Sequence, residues 1–205
     1  MKVYTAEEMR RHEQMAVDKG TSFAQLMENA GSAAASDILR RFPQHGSTLI
    51  VCGKGNNGGD GLVIARILQA AGWQIDIVFL LGLKLSELAE ANRQKLLKLP
   101  GISFLNLNAC LNKSYTLIID GIFGTGFSGT LPTEIAAACR TLNNMSGSKI
   151  ALDIPTGLNG DTGAADNNTF RADITYTFAA YKPAHTQVGS KTYCGEIICL
   201  DIGIE

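Results

Sequence analysis

Paired cysteines, long apolar runs and an excess of either charge are all missing from this sequence, and each absence closes off a class of function. The five cysteines (Cys52, Cys110, Cys139, Cys194 and Cys199) are odd in number and scattered, and none forms a C-x-x-C pair. That argues against a zinc site and against a disulfide framework. The longest greasy run, Ile75 to Leu83, carries Asp76 and is far too short to span a bilayer. The opening MKVYTAEEMRRHEQ is charged and amphipathic, without the apolar stretch of a signal peptide. The expectation is therefore a cytoplasmic protein with no membrane partner. With 18 basic and 19 acidic residues the formal net charge is −1, which makes no electrostatic case for nucleic acid. No repeat, low-complexity tract or linker divides the chain. What remains is 205 residues, 45% hydrophobic and 18% charged, suited to one domain (1–205) with a sizeable core.

The hydrophobic pattern opens with two helices. Residues 5 to 19 start at Thr5, with Glu8 three positions on to close a capping box, and end at Gly20. A second helix runs from Ser22 to about Phe42, where Pro43 stops it. Short apolar runs then alternate with amphipathic segments: TLIVC (48–52), IDIVFLL (75–81), ISFL (102–105), TLIID (116–120), KIALDI (149–154), ITYTFA (174–179) and EIICLDI (196–202) read as strands. Residues 61–72, 86–99 and a segment from Pro132 to about Leu142 read as helices. Such alternation predicts an α/β fold with a mostly parallel sheet, covered by helices on both faces in a three-layer α/β/α sandwich.

Ligands in such sheets bind beyond the carboxyl ends of the strands, and three of those ends carry unusual chemistry. GKGNNGGDG (53–61) has the spacing Gly53-x-Gly55-x-x-Gly58, and GIFGTGFSGT (121–130) repeats it as Gly124-x-Gly126-x-x-Gly129. The third is Asp153-Ile154-Pro155-Thr156-Gly157. The first loop fails as an NAD fingerprint, because Asp76 sits at the start of the next strand rather than its end. It fails as a nucleotide P-loop too, since Gly59-Asp60 replaces Lys-Ser/Thr. Asp60 suits either the capping of the next helix or a ribose hydroxyl. The second loop, with no acid and with hydroxyls at Thr125, Ser128 and Thr130, suits a phosphate cradle; a plain turn or lid is the alternative. Asn57, Asp120 and Thr156 offer oxygen from three strand ends, with one carboxylate among neutral groups. That is the chemistry of a hard monovalent cation, although each residue taken singly fits a turn or cap equally well. Asp153 is a candidate general acid or base if burial raises its pKa, or else a structural carboxylate. Lys182 either points into the crevice or is solvated; His185 stands isolated, and His12 and His45 carry no motif.

VCGKGNNGGDGLVIAR, IIDGIFGTGFSG, ALDIPTGLNGDTG and RADITYTFAAYKP, in this order, closely resemble the YjeF N-terminal domain family, the NAD(P)H-hydrate epimerases. LMENAG (26–31) and GEIICLDIGI (195–204) are similar to that family's edges. The resemblance implies a Rossmann-like fold, a homodimer, and interconversion of the R and S forms of hydrated NADH and NADPH at C6 of the nicotinamide ring. It also implies coupling to an ADP- or ATP-dependent dehydratase, which in bifunctional relatives is a kinase-like domain following this one.

Carried over residue by residue, Asn56, Asn57, Gly58, Gly59 and Asp60 would contact the nucleotide. Gly124, Thr125, Gly126, Phe127, Ser128, Gly129 and Thr130 would hold its phosphate portion. Asp153 would lie at the reacting ring and serve as catalytic acid and then base. Asn57, Asp120 and Thr156 would coordinate one potassium ion per subunit. Three positions depart from the family's pattern: Thr156 stands for a usual serine, Lys54 for a frequent proline and Ala184 for a glycine. A non-catalytic dimerising or nucleotide-binding scaffold of the same fold is the rival reading, and an ordinary NAD-dependent oxidoreductase a weaker one.

Overall fold

The computed structural model describes residues 1–204. Two helices, α1 (Ala6–Asp18) and α2 (Phe23–Arg41), precede the first strand. The chain then runs β1 (Ser47–Cys52), α3 (Asn56–Ala70), β2 (Gln74–Phe79), α4 (Glu87–Leu96), β3 (Ile102–Leu105) and α5 (Leu107–Cys110). It continues with β4 (Leu117–Gly121), α6 (Thr133–Asn144), β5 (Ser148–Leu152), β6 (Ile174–Phe178), α7 (Lys191–Cys194) and β7 (Glu196–Leu200). The seven strands lie in the order β3-β2-β1-β4-β5-β6-β7, and every neighbouring pair is parallel. The expectation of a mostly parallel sheet thus holds for all six ladders.

Strand β1 shows why its sequence is apolar throughout. Ile50 and Cys52 join a core with α2, α3 and α4, whereas Leu49 and Val51 face a second core that holds Ile135, Cys139 and Leu142 of α6. A strand buried on both faces has no polar side to show. Because α3 and α6 cover opposite faces while β1 and β4 are neighbours, the sheet's switch point lies between the loops that leave β1 and β4. Both glycine loops therefore meet there.

The N-terminal extension is tied over this edge. Thr5 caps α1 reciprocally with Glu8: the Glu8 N–H donates to Thr5 Oγ1 at 3.2 Å, and the Thr5 N–H donates to Glu8 Oε2 at 2.8 Å. The backbone before α1 pairs with the segment after β6, Tyr4 N–H to Tyr181 O at 2.8 Å, and the Ala6 N–H donates to Asp161 Oδ1 at 2.8 Å.

One boundary differs in a way that matters. Helix α3 begins at Asn56, not at residue 61, so the asparagines, two of the glycines and Asp60 form its first turns. Glycine is a poor helix former, but here it lets the helix press close to its neighbours. A Cβ on Gly58 would lie 2.7 Å from Gly53 O, and one on Gly59 would lie 2.5 Å from Met27 Cε. Gly55 is the N-cap, so Asp60 does not cap this helix.

Candidate active site

Two glycine loops, the end of β5 and the inner face of α1 enclose a crevice of about 780 Å³. Of the residues expected to bind a ligand, Asn56, Asn57, Asp60, Gly124, Thr125, Gly126, Phe127, Ser128, Thr130 and Asp153 line it. Gly58, Gly59 and Gly129 do not. The first two are packed inward against β1 and Met27, and Gly129, at φ +84°, serves to turn its loop. Asn56 is held from outside by Ser86, whose hydroxyl donates to its Oδ1 at 3.0 Å.

Asp153 is the best-held group in the crevice. Its Oδ1 lies 2.5 Å from Lys182 Nζ, and its Oδ2 accepts from the Thr125 N–H at 2.9 Å. The backbone is forced as well: Asp153 has φ 65°, and the Ile154 N–H bonds back to Leu152 O at 2.8 Å, a γ-turn with positive φ. Ala179, after the neighbouring strand β6, repeats this turn at φ 61°, with the Ala180 N–H bonded to Phe178 O at 2.7 Å. That second turn presents the Phe178 and Ala180 carbonyls to Lys182 Nζ, each at 3.3 Å, beside Thr177 Oγ1 at 2.8 Å. Lys182 is only 1% exposed, so it is a buried part of the site rather than a solvated lysine.

These contacts set the resting state of Asp153, expected to act as acid and then base. Burial pushes its carboxyl up, but the Lys182 charge and hydrogen bond, with the Thr125 amide, outweigh that and hold it below the ordinary carboxylate range. It rests ionised, ready as a base. Asp60 is the opposite case. Burial first, then the charges of Asp153 and Glu13, push its carboxyl well above the usual range. Glu13 is raised too, by burial and then by Asp153. His185 lies behind the ion pair: its Nδ1 accepts the Lys182 N–H at 3.1 Å, and burial draws the ring down to about 4, leaving it neutral.

The second loop is partly committed to the protein itself. Its Thr125 amide holds Asp153, and its Phe127 amide bonds to Gly124 O at 3.1 Å. Gly126, Ser128 and Thr130 form its exposed rim. Gly124 has to be glycine, since a Cβ there would lie 2.9 Å from Asp153 Oδ2 and 3.4 Å from Asn57 Cγ.

Asp120 and Thr156 lie beneath the crevice, both fully buried. Asp120 Oδ1 accepts from Thr156 Oγ1 at 2.8 Å and from the Ile122 N–H at 3.1 Å, and its Oδ2 accepts from the Thr156 N–H at 2.8 Å. Asn57 is different: both its Oδ1 and its Nδ2 are buried without a hydrogen-bond partner. An orphaned amide oxygen, taken together with the carboxylate of Asp120 and the hydroxyl of Thr156, is a donor set that suits a weakly charged hard cation. No group of three or more His, Cys, Asp or Glu suited to a metal occurs among the described residues.

Several crevice residues escaped the sequence reading, among them Met9, Arg10 and Glu13 of α1, and Phe178. The signal for Glu13 was present. Met9 and Ala16 are buried on one face of α1, and Glu13 lies between them at helical spacing. Asp76 accepts from Lys113 Nζ and the Tyr115 hydroxyl, each at 2.7 Å, and takes no part in the crevice.

Comparison with known proteins gives the site a family. An NAD(P)H-hydrate epimerase of Rhodopirellula baltica is 39% identical over 183 residues, 87% of this chain and 75% of its own length. A bifunctional NAD(P)H-hydrate repair enzyme of Pyrobaculum aerophilum is 38% identical over 187 residues, and this chain spans 37% of its length. The crystal structure of yeast ynu0 shares the fold, with a TM-score of 0.79 at 24% identity over 93% of this chain and 86% of that one. The sequence model described as YjeF-related protein N-terminus matches residues 23–184, a span holding both glycine loops, the Asp153–Lys182 pair and the Asn57–Asp120–Thr156 group, and the chain belongs to that family.

Proposed function

We propose that this chain is an NAD(P)H-hydrate epimerase, converting between the R and S forms of hydrated NADH and NADPH at C6 of the nicotinamide ring. The observation that carries the reading is the buried ion pair of Asp153 with Lys182, set in the wall of a nucleotide-sized crevice between two glycine loops. The names of its relatives support the same reaction.

In this reading the C6 hydroxyl takes a proton and leaves as water, while the ring nitrogen's lone pair closes a cationic C=N bond. The Asp153 carboxylate stabilises that positive charge and takes the proton of the water that adds to C6. The rim of Gly126, Ser128 and Thr130, with Lys54 and Arg10 at the mouth, receives the phosphates. Asn57, Asp120 and Thr156 would hold a potassium ion, whose chemistry is to fix these loops with one positive charge. A homodimer and a partner dehydratase complete the reading; the fused repair enzyme among the relatives supports the second.

The test is a mixture of hydrated NADPH epimers with an S-specific dehydratase. Added protein should make the R epimer disappear as fast as the S. A scaffold or a dehydrogenase would leave R at its slow spontaneous rate.

A further inference from the structure

We infer that Asp60 is the proton donor to the departing C6 hydroxyl, and that Glu13 of α1 relays protons to it from solvent. This rests on the epimerase reading and assigns its missing acid.

The inner end of the crevice holds three carboxyl groups, Glu13, Asp60 and Asp153, and one ammonium, Lys182. Lys182 is committed to Asp153 at 2.5 Å and to three further oxygens, so it has no proton to offer elsewhere. Arg10 and Lys54 are exposed at the mouth, and His185 is turned towards the Lys182 backbone. Asp60 thus meets two carboxyl neighbours and no committed cation. Among the described residues no N–H or O–H donates to it, whereas Asp153 has two donors. Apart from Asn56, its surroundings on the far side are mostly apolar. Asp60 and Glu13 also line a smaller cavity of about 80 Å³ on their far side, walled by Leu26, Met27 and Phe178. A carboxylate without donors in such a wall is costly, and the neutral acid is the form the wall accepts. The raised carboxyls of Asp60 and Glu13 agree with this.

Epimerisation by loss and return of water needs one group that gives a proton and another that takes one. Two carboxyls driven in opposite directions by their surroundings meet that need. The Asp60 O–H proton passes to the C6 hydroxyl, the C6–O bond breaks, and water leaves. The ring nitrogen's lone pair forms the C=N bond, and Asp60 is left as a carboxylate. A solvent water then adds to C6 and yields its proton to Asp153. Asp153 releases that proton to solvent, and Asp60 regains one through half-exposed Glu13. Each turnover ends with every group as it began. The opposite epimer runs the same steps in reverse: Asp153, once protonated from solvent, gives its proton to the leaving hydroxyl, and Asp60, having passed its own proton out through Glu13, takes one from the water that adds.

The experiment compares wild type, Asp60→Asn and Glu13→Gln in the coupled assay across pH. Asp60→Asn should lower kcat by about 100-fold or more with little change in KM, the usual size of a lost acid–base group. It should also abolish the alkaline fall in kcat that the wild type shows as Asp60 ionises. Glu13→Gln should lower kcat less, and imidazole buffer should restore it, which a merely structural role would not allow. Carboxyl ¹³C NMR of aspartate-labelled, ligand-free protein gives a readout apart from turnover: one resonance, absent in Asp60→Asn, should titrate above the ordinary carboxylate range. An active wild type with an equally active Asp60→Asn, or an Asp60 resonance already ionised at pH 5, overturns the donor assignment alone. A wild type that leaves the R epimer untouched overturns the epimerase reading and the donor role together.

Discussion

The ammonium of Lys182 sits 2.5 Å from the Asp153 carboxylate, held there by two γ-turns of positive φ that end adjacent strands. The first turn swings Asp153 into the crevice, and the second supplies the carbonyls that seat Lys182. Neither residue could keep its charge alone at this depth. An unpaired ion in an apolar site neutralises or destabilises the fold.

Replacing Lys182 with Met should therefore reverse the pH dependence that Asp153 imposes. In the wild type the folded-state pKa of Asp153 is depressed. Its contribution to stability is full above the unfolded value, about 3.9, and is lost as pH falls through the folded value below that. In Lys182→Met, burial outweighs the remaining Thr125 amide and the sign turns: stability falls as pH rises above about 4. The loss at neutral pH should be about 3–5 kcal/mol, as when one partner of a buried pair is removed. Thermal melts from pH 4 to 8 check both slope and size. Activity should fall with it, since a neutral Asp153 accepts no proton.

Ala179→Gly tests the strain in the second turn. A side chain at φ 61° costs about 1–2 kcal/mol, and glycine's extra freedom in the unfolded chain takes back about 0.5–1 kcal/mol. The variant should unfold at slightly higher denaturant, by roughly 0.5–1 kcal/mol. Asp153→Asn keeps its own positive φ, because asparagine tolerates that region, but leaves buried Lys182 without its counter-ion, so the variant should be less stable than the wild type and lose most activity. A fully active Asp153→Asn would remove Asp153 from the mechanism.

Asp60→Asn should be more stable than the wild type at neutral pH while being less active. The folded pKa of Asp60 is raised, so its contribution is present in full below the unfolded value and is lost as pH rises towards the folded one. The neutral amide does not ionise. The variant's advantage in melting temperature should be near zero at pH 3.5 and grow steadily as pH rises. A constant offset would mean that Asp60 does not titrate as its surroundings require.

The sheet was largely legible because its strands are apolar on both faces and bounded by glycine or proline. ISFL matches β3 residue for residue, and Ser22 and Ser86 cap α2 and α4 as their positions suggest. The start of α3 was not legible. Gly58 and Gly59 look like a loop by propensity, and only packing against Gly53, Met27 and β1 makes them helix. The acid–base assignment was hidden for a related reason. Sequence shows that Asp60 and Asp153 are present, but their opposite pKa directions depend on Lys182 bonding directly to one and acting on the other only from further off. Lys182 reaches Asp153 only through the turn at Ala179, where alanine gives no sign of a positive φ.

The orphaned amide of Asn57 leads to the last prediction. Both of its polar atoms are buried without a partner, an arrangement that costs about 1–3 kcal/mol per unsatisfied group. A potassium ion bound by its oxygen, with Asp120 and Thr156, would offset part of that cost in the folded state alone. The protein should then melt at a higher temperature in potassium chloride than in tetramethylammonium chloride at equal ionic strength. A ligand present at 100 times its Kd stabilises by about 2.7 kcal/mol, so the difference should be several degrees. Asn57→Leu removes both orphaned atoms and the metal's oxygen together. In that variant the two salts should give the same melting temperature, with that in tetramethylammonium no lower than the wild type's. If the wild type melts identically in both salts, the potassium assignment fails, and Asn57 must meet its partner in the bound nucleotide instead.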